Sequence, residues 1–198
     1  MRCYVGLDVG SVSADLVVTD ACGCLIESRY VRTLGRPLRV SLEQLRDLVR
    51  SHDVAGLCVT GAGAKIVADL LGVPFVNEIV AQSKATMRLY PQVRTIIEIG
   101  GDASKLILLE PGPDGSPRVV DFALNSICAA GTGSFLELQA SRLRVSIEEF
   151  SRLALRSEHP PRIAGRCSVF AKSDMIHLQQ QGAPDYDIIA GLCYAMAR

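Results

Sequence analysis

Apolar residues along this chain come in short runs separated by glycine, proline and charge. The runs Cys3–Val9, Asp15–Asp20 and Cys24–Val31 predict three strands, and the turn around Cys22-Gly23 makes the last two a hairpin. Leu42, Leu45, Leu48 and Val49 then recur at helical spacing, which predicts a helix from about Ser41, with Ser41-x-x-Gln44 as a capping box. A strand over Gly56–Val59 leads into the turn Thr60-Gly61-Ala62-Gly63, a helix over Ala64–Leu71, a short strand over Val73–Val76 and a helix near Val80–Leu89.

The pattern then repeats its opening. Arg94–Ile99, Ser104–Glu110 and Arg118–Leu124 read as three strands, the last two joined by the turn Pro111–Pro117. Helices follow near Ser134–Leu143 and Ser146–Leu155, the second opened by the capping box Ser146-x-x-Glu149. A last helix begins near Asp187 and presents Ile188, Ile189, Leu192 and Met196 on one face. The repetition predicts two halves, 1–90 and 91–198. The second half lacks a counterpart of Gly56–Gly63, and the last helix meets Arg198 without a stop signal, so the chain is expected to continue in a longer product.

Each half carries a glycine loop behind a carboxylate at the end of a strand. In the first, Asp8-Val9-Gly10-Ser11 follows Cys3–Leu7; in the second, Glu98-Ile99-Gly100-Gly101-Asp102 follows Thr95-Ile96-Ile97. Glycine lets the backbone approach a phosphate and aim N–H groups at it. A carboxylate beside such a turn can hold magnesium through water or orient an attacking water. Two such loops at matching places predict a phosphate-gripping cleft between the halves.

Composition narrows the alternatives. The 198 residues are 48% apolar and 21% charged with 17 Gly, which fits a globular α/β protein. The formal net charge of zero and the absence of Trp argue against nucleic acid or an anionic membrane as partner. No apolar stretch approaches the roughly 18 residues that span a bilayer. Seven cysteines at this length point to a reducing, cytoplasmic compartment. The three histidines show no spacing with a carboxylate or cysteine that makes a site.

The remaining chemistry lies in Asn125-Ser126-Ile127-Cys128-Ala129-Ala130-Gly131-Thr132-Gly133, just before a helix, where free backbone N–H groups favour anions. Cys128 and Cys167 cannot alone close a four-thiolate site, but two copies of the chain about a two-fold axis can. Cys3, Cys58 and Cys193 sit in apolar runs and read as buried apolar residues; Cys22 and Cys24 flank a turn.

These residues resemble a family, the ATP-dependent activators of 2-hydroxyacyl-CoA dehydratases, which are related to the ATPase subunits of benzoyl-CoA reductase. The matching segments are Gly6-Leu7-Asp8-Val9-Gly10-Ser11, Val59-Thr60-Gly61, Ile96–Gly101, Cys128–Gly133 and Cys167-Ser168-Val169-Phe170-Ala171, in family order. The region Gly165–Met196 looks most like the long multidomain members, in which such a module comes first.

The resemblance implies an α/β, actin-like ATPase fold (the acetate and sugar kinase, Hsp70 and actin fold) of two ribonuclease-H-like halves, C-terminally truncated here. It implies ATP and Mg2+, with Asp8 and Glu98 as catalytic carboxylates. Gly10, Ser11, Val12, Gly100, Gly101, Asp102, Gly131, Thr132 and Gly133 are then the cofactor-binding residues. It also implies a homodimer bridged by one [4Fe-4S] cluster on Cys128 and Cys167 of each subunit. Electrons would come from a low-potential donor such as ferredoxin or flavodoxin and pass to a dehydratase or reductase component. The chain departs from the family at Asp15, where members often carry lysine, and at Asp102, where Gln or Glu is usual. A carboxylate at position 15 facing phosphate would repel it. Two other readings of the same fold are an N-acetylhexosamine-type kinase, which needs no cysteine pair, and a non-catalytic docking or dimerisation module of a longer chain.

Overall fold

A computed structural model describes residues 2–113, 116–125, 131–165 and 167–197. The chain divides into two compact units, Met1–Ile96 with Ile107–Phe122, and Ile97–Leu106 with Ala123–Arg198.

The first unit opens with strands β1 (Arg2–Val9), β2 (Ser13–Thr19) and β3 (Leu25–Arg32). Helix α1 (Pro37–Ser51), strand β4 (Asp53–Thr60) and helices α2 (Ala64–Leu71) and α3 (Glu78–Leu89) follow. The four strands form one sheet in the order β3-β2-β1-β4, with β1 antiparallel to β2 and parallel to β4. Side chains alternate across the pleat. Cys3, Val5, Leu7, Val9, Leu16 and Val18 therefore bury one face against Leu45 and Leu48 of α1 and Ala64 and Val67 of α2. The opposite face receives Asp8 and Asp15.

Two expectations for this unit change. The helix expected from Ser41 begins at Pro37, where proline's missing N–H costs nothing at the first turn. Ser41 and Gln44 are buried inside it rather than forming a capping box, and Gln44 Nε2 donates to Ala14 O at 3.0 Å. The expected strand Val73–Val76 is reduced to an isolated parallel bridge between Val59 and Phe75.

Strands β5 (Thr95–Ile99), β6 (Ser104–Pro111) and β7 (Pro117–Leu124) form a second sheet in that order. Where it belongs to the first unit, Ile96, Ile107 and Leu109 pack with Met87 of α3. The second unit adds helices α4 (Gly133–Leu143), α5 (Ile147–Ala154), α6 (Ser168–Gln180) and α7 (Asp185–Met196). Its core joins Phe135, Phe150, Ile163, Met175, Ile188, Ile189 and Leu192. Ser146 caps α5 as its sequence predicts, accepting the N–H of Glu149 at 3.1 Å. Helix α6 was not legible as a helix: its buried positions, Ala171 and Met175, make too thin an apolar stripe. Among the described residues no helix is long and apolar enough to cross a membrane.

Candidate functional site

In the first unit the β1–β2 hairpin builds a carboxylate-bearing turn. Asp8 stands near the end of β1 and pairs across the strands with Asp15. Directly opposed residues of an antiparallel pair have Cβ atoms about 4.5–5.5 Å apart on one face, so the two carboxylates are neighbours. Burial pushes the Asp15 carboxyl above its ordinary value of 3.8, opposed by a hydrogen bond from Ser13 Oγ at 3.2 Å. Asp15 Oδ1 is buried without a hydrogen-bond partner, and so is Thr60 Oγ1, whose residue pairs with Asp8 from the other side.

Gly61 completes this wall. A Cβ there would lie 2.3 Å from Asp8 Oδ1 and 2.6 Å from Val9 N, and its φ of +103° favours glycine independently. The loop itself is tied by Thr33, which is buried: its N–H donates to Val12 O at 2.8 Å and its hydroxyl donates to Ser11 O. A trans peptide points N–H and C=O in opposite directions. With the Ser11 carbonyl turned to Thr33, the Val12 N–H points away from it. Gly10 is required by Ser13 O, 2.9 Å from where its Cβ would stand.

The second unit contains the matching turn. Gly100 N–H donates to Ala103 O at 2.9 Å, closing the loop between β5 and β6. A Cβ on Gly100 would meet both Ala103 O and Glu98 Oε1 at 2.9 Å, so glycine makes room for the Glu98 carboxylate. That carboxylate is held by Lys105, whose Nζ lies 3.0 Å from Oε1 and 2.7 Å from Oε2. The pattern of residue types in the sequence did not single out Lys105. The signal that finds it is its offset, since it stands as far beyond Glu98 as Asp15 stands beyond Asp8.

The start of α4 changes the role expected for Gly131-Thr132-Gly133. Its N–H groups are not all free for an anion. Gly133 N–H donates to Gly100 O at 2.8 Å and Ser134 N–H donates to Gly101 O at 3.1 Å. Thr132 is fully buried. The helix start supports the glycine loop, taking up its carbonyls as Thr33 does in the first unit. The N–H groups of Gly101 and Asp102 consequently point away from α4. Asp102 is exposed and accepts from Ser134 Oγ at 3.5 Å.

Ser104 fixes the flanks of the same region. It exchanges hydrogen bonds with Asn125, donating its N–H to Asn125 Oδ1 at 2.7 Å and accepting the Asn125 N–H at 3.0 Å. Its hydroxyl donates to Gly131 O. Cys128, with Ser126, Ile127, Ala129 and Ala130, lies outside the described residues. Cys167 is half-buried and is the N-cap residue of α6, with its carbonyl accepting the Ala171 N–H at 3.0 Å. Its side chain therefore sits at the positive end of the helix dipole.

Of the other cysteines, Cys3 is buried and Cys58 and Cys193 are half-buried, with burial pushing the Cys193 thiol up. Cys22 and Cys24 are exposed on a turn whose N–H groups both donate to Asp20 Oδ1 at 2.8 Å. Among the described residues no three His, Cys, Asp or Glu side chains gather as a metal site. A cavity of about 470 Å³ beside α1, β1 and β4 is lined by Val5, Leu45, Leu48 and other apolar side chains, with Arg46 beside them. It lies on the face of β1 opposite Asp8 and takes no part in this chemistry.

Comparison with known proteins places the whole chain. The chain is 30% identical over 200 residues to a 2-hydroxyisocaproyl-CoA dehydratase activator of Clostridioides difficile, covering 98% of this chain and 72% of that protein. It is 29% identical over 197 residues to the (R)-2-hydroxyglutaryl-CoA dehydratase activating ATPase of Acidaminococcus fermentans, covering 98% and 74%. The solved structure of the 2-hydroxyisocaproyl-CoA dehydratase activator from Clostridium difficile with bound ADPNP superposes with a TM-score of 0.85 at 30% identity, covering 98% and 72%. The fold is that of the actin-like ATPases. Residues 5–198 match the model of the BadF/BadG/BcrA/BcrD ATPase family, and the chain belongs to that family.

Proposed function

We propose that this chain is an ATP-hydrolysing iron–sulfur activator that drives low-potential electrons into a 2-hydroxyacyl-CoA dehydratase or a related CoA-ester reductase. The observation that carries the reading is the repeated hairpin, in which a strand-end carboxylate stands beside a glycine loop whose carbonyls are tied back. Loop N–H groups, Val12 in the first unit and Gly101 and Asp102 in the second, are the phosphate donors. Glu98 orients a water for attack on the γ-phosphorus and accepts its proton. The bond to the β,γ-bridging oxygen breaks, ADP leaves with its electron pair, and inorganic phosphate is the second product.

Mg2+ fits beside Asp8, because Asp15 Oδ1 next to it is a buried carboxylate oxygen without a partner, the donor type this hard cation takes. When bound, Mg2+ supplies charge neutralisation for the phosphates. The described ligand of a [4Fe-4S] cluster is Cys167, a half-buried thiol at a helix N-cap that no side-chain cap bond engages, which suits a thiolate ligand. With Cys128 it would supply two ligands from each subunit of a homodimer. The cluster supplies one-electron chemistry. A ferredoxin or flavodoxin is the donor and the dehydratase component the acceptor. The test is ATP hydrolysis by the anaerobically prepared chain, with ADPNP affinity measured beside it. Turnover with ADPNP binding supports the reading, and ADPNP binding without turnover refutes the hydrolytic part of it.

A further inference from the structure

The second hairpin holds its strand-end carboxylate by a lysine on the facing strand. The bonds from Gly100 N–H to Ala103 O and from Leu109 N–H to Arg94 O share one antiparallel register between β5 and β6. That register sets Ile96 opposite Ile107, both buried, and Glu98 directly opposite Lys105. The ammonium reaches both carboxylate oxygens, at 3.0 and 2.7 Å. The two side chains are only 11% and 25% exposed, so water competes weakly for either. Gly100 forms the floor, with Glu98 Oε1 occupying the space a Cβ would need.

We propose that Lys105 is a positioning residue for ATP hydrolysis, fixing the Glu98 carboxylate in the one orientation from which it takes the proton of the attacking water. The inference rests on the ATPase reading given above. A free glutamate samples many rotamers, and ordering it costs conformational entropy at the moment of reaction. Two bonds from one ammonium remove that freedom in advance. They also leave lone pairs on both oxygens, so the carboxylate still accepts from water. A cross-strand pair of opposite charge contributes only about 0.2–1 kcal/mol to the sheet. Misplacing a catalytic group by about 1 Å, by contrast, costs about a hundredfold in rate. The value of Lys105 therefore lies in geometry more than in folding.

The test uses the Lys105→Met and Lys105→Arg variants, alone and combined with Glu98→Gln. The readouts are steady-state ATP hydrolysis, ADPNP affinity by calorimetry and urea unfolding. K105M is expected to lower kcat about 30–100-fold with ADPNP affinity within about threefold. K105R is expected to recover to within about fivefold of the parent. On the E98Q background K105M should add no more than about twofold, because the group it positions is already gone. If K105M loses its cooperative urea transition, Lys105→Gln carries the same comparison. An unchanged kcat, a fully additive loss in the double variant, or a loss confined to ADPNP affinity overturns the proposal. A parent chain that binds ADPNP without hydrolysing ATP overturns the ATPase reading together with it, and that outcome is distinguished by the parent's own lack of turnover.

Discussion

The two glycine hairpins share a backbone plan and differ in what faces the carboxylate. In the first, Asp8 faces Asp15, a second carboxylate with one oxygen buried and unpartnered. In the second, Glu98 faces Lys105, which bonds both of its oxygens. Glycine is demanded at each turn for a shared reason: a Cβ at Gly10 would lie 2.9 Å from Ser13 O, and one at Gly100 2.9 Å from Ala103 O. The loop carbonyls are likewise tied back in both, to Thr33 in one unit and to the start of α4 in the other. Backbone geometry thus repeats while electrostatics diverge. The second hairpin sets a cation across from its strand-end carboxylate, whereas the first sets a second carboxylate there. The same hairpin plan thus suits a metal ligand in the first unit and an oriented base in the second.

The sharpest way to break this division is to remove each carboxylate in turn. Glu98→Gln is expected to reduce ATP hydrolysis by about 100-fold or more while ADPNP still binds. Asp8→Asn should instead weaken ADPNP binding chiefly when Mg2+ is present. Calorimetry with and without Mg2+, run beside a phosphate-release assay, separates the two. Identical profiles for both variants would erase the distinction.

The next largest effect concerns the glycines. Gly61→Ala forces a side chain onto φ +103° and against Asp8 Oδ1 and the Val9 backbone, so a loss of about 2–4 kcal/mol in urea unfolding is expected. Gly100→Ala meets Ala103 O and the movable end of Glu98, so about half that loss is expected, with a fall in hydrolysis as the carboxylate is displaced. Equal destabilisation with no change in hydrolysis would remove Glu98 from the argument. Ser104→Ala deletes the hydroxyl bond to Gly131 and should cost about 1 kcal/mol, read in the same unfolding experiment.

The smallest effect belongs to Asp15. Its pKa in the folded chain lies above the unfolded value, so its contribution is fully favourable only below pH 3.8, where the group is protonated in both states. Stability is lost as pH rises from there through the folded-state pKa, and the loss persists at neutral pH. Asp15→Asn removes that slope. Because the side chain is partly exposed, the gain at pH 7 should stay below about 1 kcal/mol. A variant with an unchanged pH profile would contradict the assigned cause.

Much of the scaffold was legible in the residues. Both strand–glycine-turn–strand repeats, helix α2 and the Ser146 cap follow from apolar periodicity and local hydrogen-bonding chemistry. Tertiary placement overrode the rest. Ser41 and Gln44 have capping-box spacing, yet their helix starts earlier and buries both. Helix α6 buries only a thin stripe of small or flexible side chains, too little for periodicity to reveal. The N–H of Gly133 reads as free in sequence and is taken up by Gly100, with Ser134 bonding Gly101 beside it, a pairing no local pattern encodes. Lys105 has one signal in sequence, an offset from Glu98 equal to that of Asp15 from Asp8, and strand register then sets it against Glu98.

The central claim, an ATPase coupled to an iron–sulfur centre, is tested most directly by iron and sulfide content with electron paramagnetic resonance of the dithionite-reduced protein. The protein would be prepared anaerobically beside Cys128→Ser and Cys167→Ser. The account predicts about four irons per two chains, with a reduced-cluster signal lost in either variant. A folded, iron-free parent, or full iron retained in both variants, would contradict it.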